Sequence, residues 1–586
     1  MKNLGTPDDP YDVIGLGFGP SNIALAIAAQ EIAPDRGCLF LERSPDTRWH
    51  PAMLVDGSRM QISFLKDLVS LRNLASPFTF LAYTKAKGRL EKFVNLSEFR
   101  PTRLEFEDYL RWVAEQFSDV VCHHTEVTSV TPVREEGELS LFRVTATDTA
   151  TGAIVEYHTR NVVHALGGLP RLPDGVTPGP NLLHSSAFLT TFPPAFTDPD
   201  RAWEFAVAGD GQSAGEITTY MLDRYRNARV HLILPGYSLR ATDNNPFANE
   251  QFFEANADDF YSRSQANRRD YAASLRTTNY GVVEAGALDV LYRLVYADEV
   301  RGRTRLVVHD GSRLVRARSE DGVVRIGIDS RFGAGSSTLE VDGLVLATGY
   351  RRELDPAMYS AVLPYLDTDD DGWPVVSREH RVRTTEELTA GLYVQGFAEA
   401  THGLGDTLLS LLPFRSKQII TAIAKDGGMW ARNGAVPGAE QPAAPPDERD
   451  VAALARLVEG CDAGTLVTAG ADGYPAVTRV PFVLARADGR HGMLCGVLDR
   501  ADVRRSAWDG VKVLAVFPAG APDSAASVEV RGCARLVDLD GGRTRIEIEI
   551  EAFSGPLPAP AESDDHDGGE ERAESRAAPT ETGRQS

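Results

Sequence analysis

Two glycine-rich turns, Gly15-Leu16-Gly17-Phe18-Gly19-Pro20 and Gly209-Asp210-Gly211-Gln212-Ser213-Ala214, stand far apart in one chain. Each follows an apolar run, Tyr11-Asp12-Val13-Ile14 and Phe205-Ala206-Val207-Ala208, and each opens a helix-like stretch. In that context such a turn seats a pyrophosphate on a helix N-terminus. Two copies call for two dinucleotides held face to face, and the ordinary reason for that pairing is a flavin reduced by a nicotinamide. The cofactor-binding candidates are Gly15, Gly17 and Pro20 in the first turn, and Gly209, Gly211, Gln212, Ser213 and Ala214 in the second.

The ends of the next strands separate the two nucleotides. Cys38-Leu39-Phe40-Leu41 runs into Glu42, an acid placed to take a ribose hydroxyl pair, as FAD or NAD requires. Val230-His231-Leu232-Ile233-Leu234 runs to Arg240 with no carboxylate between, which favours the 2′-phosphate of NADP. A solvated surface arginine is the plain alternative for Arg240.

The chain has 586 residues, enough for several domains, and its net charge of -22 argues against a nucleic-acid partner. The five cysteines are scattered without a CxxC pair, which predicts reduced thiols and a cytoplasmic protein. The N-terminus runs straight into the first strand, so no signal peptide is expected, and no apolar run reaches membrane-spanning length. Asp369-Asp370-Asp371 lacks the ligand spacing of a calcium loop and reads as a solvated turn, so no metal is expected.

Five further segments are informative: Trp49-His50-Pro51-Ala52-Met53; Met60 to Asn73, which contains Gln61 and Lys66-Asp67-Leu68-Val69-Ser70-Leu71-Arg72-Asn73; Asn245-Pro246-Phe247-Ala248-Asn249-Glu250 with Thr278-Asn279-Tyr280; Ala347-Thr348-Gly349-Tyr350; and His402 to Ser410. Together, over about Tyr11 to Lys425, they resemble the flavin-dependent L-ornithine and L-lysine N-hydroxylases of siderophore pathways. The Lys-Asp-Leu-Val-Ser-Leu-Arg-Asn wording is nearer the ornithine branch.

The resemblance implies NADPH- and FAD-dependent hydroxylation of the side-chain amine of L-ornithine with dioxygen, through a C4a-hydroperoxyflavin, giving N5-hydroxyornithine. L-lysine N6-hydroxylation is the alternative. The cofactor carries the hard chemistry and the protein supplies orientation, a dry pocket and selectivity. The resemblance makes Lys66 the partner of the substrate α-carboxylate, with Asn249 beside it. It puts Asn279 near the substrate amine and the nicotinamide, and Gln61 by the flavin. Gln61 and Asn279 are thus the catalytic candidates. Ser213 holds the NADP pyrophosphate, and Trp49, His50, Thr348, Leu408 and Ser410 fall on cofactor-lining positions. Plainer readings exist: a snorkelling Lys66, turn or capping roles for Asn249 and Asn279, and structural hydrogen bonding for Gln61, His50 and His402. The family also implies a homotetramer.

Beyond a Pro/Ala-rich stretch the pattern changes to short strands with Asp-Gly turns. Leu466-Val467-Thr468, Asp472-Gly473-Tyr474-Pro475 and Val480-Pro481-Phe482 resemble the split-barrel family of FMN-binding negative regulators and haem-dependent piperazate synthases. A synthase fused to an ornithine hydroxylase would close hydroxyornithine through an N–N bond. However, Val497 stands where the synthases carry an iron-ligating histidine, so the module reads as degenerate, a scaffold or binding domain.

The expected architecture is α/β: two Rossmann-like dinucleotide-binding domains, the FAD domain interrupted by the NADP domain, with a helical substrate cap and a small antiparallel split β-barrel. The boundaries are an FAD domain over 1–198, an NADP domain with helical substrate region over 199–335, the returning FAD domain over 336–433, a linker over 434–449, a barrel over 450–555 and a disordered tail over 556–586.

Overall fold

The computed structural model describes residues 5–135, 137–331, 335–426 and, beyond them, residues 454, 457–458, 464–469, 475–485, 493–499, 512–518, 527–539 and 543–554. The expected linker and tail lie outside the described residues. The chain divides into two compact units, 1–430 and 431–586. Among the described residues no helix is long and apolar enough to cross a membrane.

The first unit holds two sheets built on parallel strands. In the first, Tyr11–Leu16 pairs in parallel with Cys38–Leu41 on one side and Ile154–His164 on the other. Strand Gly391–Val394 joins that second neighbour in parallel, and Thr125–Glu135 and Glu138–Asp148 extend the sheet antiparallel. Val13 and Ile14 are both fully buried, because this central strand is covered on both faces. Helix Pro20–Ile32 covers one face with helices Arg103–Glu115 and Leu412–Asp426, burying Ile23, Ile27, Phe106, Tyr109, Ile419 and Ile420 in one cluster.

The second sheet is wholly parallel, in the order Leu306–His309, Arg229–Ile233, Glu204–Ala208, Gly343–Leu346, Leu182–His184. Leu182–His184, before residue 199, and Gly343–Leu346, after residue 335, are both strands of this sheet. Ser336–Val341 and Gly343–Leu346, separated only by Asp342, belong to different sheets. Ser336–Val341 closes a three-stranded antiparallel meander with Ser312–Glu320 and Val323–Ser330, and the chain then turns at Asp342. The Asp342 carboxylate accepts a hydrogen bond from Glu204 N at 2.8 Å. Gly343 lies so close to Phe192 and Phe196 that a Cβ would fall 2.8 Å from a ring carbon. Only glycine lets the chain enter the parallel sheet there.

The chain leaves the first sheet after His164 and returns to it at Gly391. Its outward and return passes, Leu169–Pro170 and Tyr350–Arg351, pair antiparallel. Helices Pro246–Glu250, Glu254–Ser262, Gln265–Ser274 and Ala285–Val300 occupy the expected cap region.

The second unit carries a seven-stranded antiparallel sheet in the order Pro475–Val480, Gly464–Ala469, Lys512–Pro518, Ser527–Leu539, Arg543–Ser554, Met493–Asp499, Phe482–Ala485.

Candidate active site

Both glycine turns do what their composition requires. Gly17 has φ +79°, and a Cβ there would sit 3.1 Å from Ala165 O. Gly209 has φ +145°, with Ala347 O at 2.3 Å from a hypothetical Cβ. Only glycine accepts these backbones without strain. By contrast, a Cβ on Gly19 or Gly211 would meet nothing within 4 Å. These two residues are the N-caps of helices Pro20–Ile32 and Gln212–Arg224, and neither helix has a side-chain cap. Each sheet therefore presents an open, uncapped helix N-terminus beside a glycine turn, which fits a dinucleotide diphosphate.

Glu42 stands where the sequence places it, its carboxylate accepting from Phe18 N at 2.8 Å and Ser44 N at 2.9 Å. It holds the first glycine turn and keeps lone pairs for a ribose. Arg240 is exposed, and among the described residues its guanidinium has no ion-pair partner. Its carbonyl accepts from Val283 N. Gln212 bridges helices, donating to Glu216 at 2.7 Å and accepting from Glu284 N at 2.7 Å, while Ala214 is buried and Ser213 stays partly open. Thr348 donates to Arg171 O.

The Lys66 loop is fixed by its neighbour. Asp67 is buried, and its carboxylate accepts from Val69 N, Ser70 N, Ser70 Oγ and Phe80 N at 2.6–2.9 Å. The turn around Asp67 sets the backbone from which Lys66 projects, half-buried. Among the described residues the Lys66 ammonium has no ion-pair partner, and burial alone pushes its pKa down. Gln61 is exposed on the same loop.

This loop runs beside Phe99 to Pro101, through Met60 N to Pro101 O and Phe64 N to Phe99 O. Arg100 and Arg103 carry that segment to the second nucleotide unit, reaching Glu284 at 3.4 Å and Glu216 at 2.8 Å. Asn249 lies on helix Pro246–Glu250 and donates to Asn244 Oδ1 at 2.8 Å. The helix is capped by Asn245, so the capping reading of Asn249 is corrected. Asp243 N donates to Thr277 O, which brings the Asn249 helix against the segment bearing Asn279.

Asn279 sits between the two halves. Its neighbour Tyr280 donates to Glu399 at 2.6 Å, in the returning first domain. Gly281 lies against the Asp210 carboxylate of the second glycine turn. Phe260 and Phe252 of the cap press on Gly403 and Gly405, so the loop to Leu408 and Ser410 lies under the cap.

Trp49 packs its ring edge-on against His50 and Phe106. His50 adopts the left-handed region at φ +48°. Solvent reaches it, yet desolvation with the charges of Arg103 and Arg352 lowers its pKa to about 4. The imidazole is therefore neutral at physiological pH. His402 is a structural hydrogen-bonder, with Nδ1 to Thr401 Oγ1 at 2.8 Å and Nε2 to Arg378 O at 3.3 Å. The Asp369 carboxylate accepts from Trp373 N and Gln265, and Asp371 pairs with Arg269, which makes this a hydrogen-bonded turn. Sequence reasoning missed Asp67, Tyr280 and Glu399. A carboxylate flanked by Leu65 and Leu68 in an apolar run was the available signal for Asp67.

Comparison with known proteins decides the family. The profile of the L-lysine 6-monooxygenase/L-ornithine 5-monooxygenase family matches residues 9–352. The chain belongs to this family. An L-ornithine N(5)-monooxygenase of Emericella nidulans is 39% identical over 450 residues, spanning 71% of this chain and 90% of the relative. One from Pseudomonas aeruginosa is 37% identical over 416 residues, 70% of this chain and 92% of the relative. Two solved structures agree. The ornithine hydroxylase of Pseudomonas aeruginosa superposes with a TM-score of 0.67 at 36% identity, covering 71% of this chain and 99% of that one. The Kutzneria sp. 744 ornithine N-hydroxylase, solved with reduced FAD, NADP+ and L-ornithine, gives 0.69 at 37% identity, covering 72% and 100%.

Proposed function

We propose that the chain is an NADPH- and FAD-dependent L-ornithine N5-monooxygenase acting in hydroxamate or siderophore biosynthesis in the cytoplasm. The observation that carries this is similarity to relatives named for that activity, over about nine-tenths of their length. Gly15, Gly17, Pro20 and Glu42 would hold FAD, with Trp49, His50, Gln61, Thr348, Leu408 and Ser410 along it. Gly209, Gly211, Gln212, Ser213, Ala214 and Arg240 would hold NADPH. When bound, the pair supplies the reducing power and the dioxygen activation. The protein's task is placement. Lys66 takes the α-carboxylate of ornithine and Asn249 the polar groups beside it. Asn279 orients the side-chain amine with its lone pair toward the flavin edge. His50, neutral at physiological pH, places no positive charge beside the substrate amine.

The second unit is proposed to be a split barrel without haem chemistry. Its two edge strands, Pro475–Val480 and Phe482–Ala485, are consecutive in the chain with only Pro481 between them, which supports closure of the sheet on itself. Val497, paired with Arg545 in strand Met493–Asp499, stands at the position where the synthases' histidine is expected. A homotetramer completes the reading.

The test is product analysis with purified protein, FAD, NADPH and either ornithine or lysine. N5-hydroxyornithine as the end product, with flavin absorbance alone, supports the reading. Preferred hydroxylation of lysine would overturn the substrate, and piperazic acid with a Soret band would overturn the inactive barrel.

A further inference from the structure

A buried ion pair lies behind the FAD site, and none of the roles above uses it. Asp406 has a side chain with 0% exposure and Arg415 one with 4%. They meet at 3.1 Å, and Arg415 also donates to the Asp406 carbonyl. A buried pair of this kind is poor evidence for stability, because desolvation costs offset the attraction. Its remaining contacts show what else it does.

On one side the Asp406 carboxylate accepts from Ala398 N at 2.8 Å, fixing both ends of the loop that leads into Thr407 and Leu408. On the other side Arg415 Nη2 donates to Ser21 Oγ at 3.2 Å, and its Nε donates to Gln395 Oε1 at 3.3 Å. Gln395 in turn donates to Ser21 O and to Asn22 Oδ1. Asn22 donates to Gly17 O at 2.7 Å and Leu16 O at 3.2 Å, inside the first glycine turn. One continuous set of polar contacts therefore runs from the glycine turn to the Leu408 loop.

The chemistry at Ser21 is directional. Ser21 is the second residue of helix Pro20–Ile32 and is partly open. Its oxygen accepts from Arg415, an obligate donor, so its own proton is left for an acceptor outside the protein network. Hydroxyl, uncapped backbone N–H groups and helix dipole then act at the same helix end.

We propose that Arg415 is a positioning residue for the flavin: through Ser21 and Asp406 it sets the pyrophosphate end and the ring-edge loop of the FAD site in one register, with the Ser21 hydroxyl as a donor to the cofactor's phosphate. This rests on the FAD-binding reading above.

The experiment measures the FAD dissociation constant of deflavinated full-length protein by flavin fluorescence, together with its visible circular dichroism and melting temperature without FAD. The variants are Ser21→Ala, Arg415→Lys and the double variant. Wild-type protein that does not bind FAD would overturn the functional reading itself. With binding present, Ser21→Ala is expected to weaken FAD about tenfold, the scale of one charge-assisted hydrogen bond, with the FAD-free melting temperature unchanged. Arg415→Lys keeps the charge but loses the fork. It is expected to weaken FAD at least as much and to alter the flavin circular dichroism. The double variant is expected to be no weaker than Arg415→Lys alone, because the arginine acts on the phosphate through the serine. Ser21→Ala within twofold of wild type, or additive losses in the double variant, would overturn the proposal. If Arg415→Lys does not fold, the Ser21→Ala result decides alone.

Discussion

Lys66 is the position where loss of one group should separate substrate binding from the rest of the reaction. Its ammonium is half-buried and unpartnered among the described residues, and it projects from a turn pinned by four hydrogen bonds to Asp67. Truncating one partner of a fully buried charge pair costs about 2–5 kcal/mol, whereas an exposed pair is worth about 0.2–1 kcal/mol. A half-buried lysine facing a substrate carboxylate falls between, at about 2 kcal/mol, which is about 30-fold in affinity. Lys66→Met should therefore raise the KM for ornithine about 30-fold, with kcat at saturation within a few-fold, because no reacting atom is touched. NADPH oxidation without ornithine should be unchanged.

A second consequence has the opposite sign. The folded pKa of Lys66 lies below its unfolded value, so the unfolded chain holds that proton more tightly. Keeping the ammonium charged costs folding stability below the depressed pKa, and the cost vanishes as pH rises past the unfolded value. Without substrate, Lys66→Met should melt no lower than wild type at neutral pH. Steady-state kinetics of product formation, with a thermal melt alongside, checks both. An unchanged KM, or a loss confined to kcat, would refute the assignment of Lys66 to the substrate carboxylate.

Two further outcomes follow from other side chains. Arg240→Ala should narrow the preference for NADPH over NADH about tenfold, the scale of one charge-assisted phosphate contact. Flavin reduction rates with each coenzyme measure it, and equal rates in the wild type would remove the 2′-phosphate role. Burial lowers the pKa of His402 to about 4, so the stability of its neutral form is present above the unfolded value near 6.5 and is lost as pH falls toward 4. His402→Asn should flatten the fall of unfolding free energy in that window by about 1.4 kcal/mol per pH unit; a slope unchanged by the substitution would show that His402 charges without cost.

The glycine turns were legible because their signal is local. A buried strand, a turn that only glycine tolerates and a helix start follow one another within a dozen residues. Lys66, Asn249 and Asn279 were proposed only through family resemblance, since half-buried polar residues on loops and on a five-residue helix carry no periodic mark. Two strands of the second sheet were not legible. Leu182–His184 is three residues long, and Gly343–Leu346 follows Ser336–Val341, a strand of another sheet, with only Asp342 between them. Its pairing is decided by Phe192 and Phe196, far away in sequence, closing on Gly343. Arg415 was overlooked for a different reason. A cation on an amphipathic helix is usually solvated, yet it stands three residues after Leu412 and four before Ile419, both buried, and so on the inward stripe.

The two passages between the sheets give the chain an engineering property. Arg171 N donates to Gly349 O at 2.9 Å, directly beside the paired passes Leu169–Pro170 and Tyr350–Arg351. Everything from 172 to 348 thus leaves and re-enters the first domain through a single narrow seam, the arrangement that makes domain insertion tolerable. Arg240, proposed to read the coenzyme, lies inside that cassette with Asn249 and Asn279, while Lys66 and Glu42 lie outside it. Exchanging the cassette between relatives at Arg171 and Gly349 would therefore carry the proposed coenzyme reader across together with Asn249 and Asn279, while the Lys66 turn and Glu42 stay on the host chain.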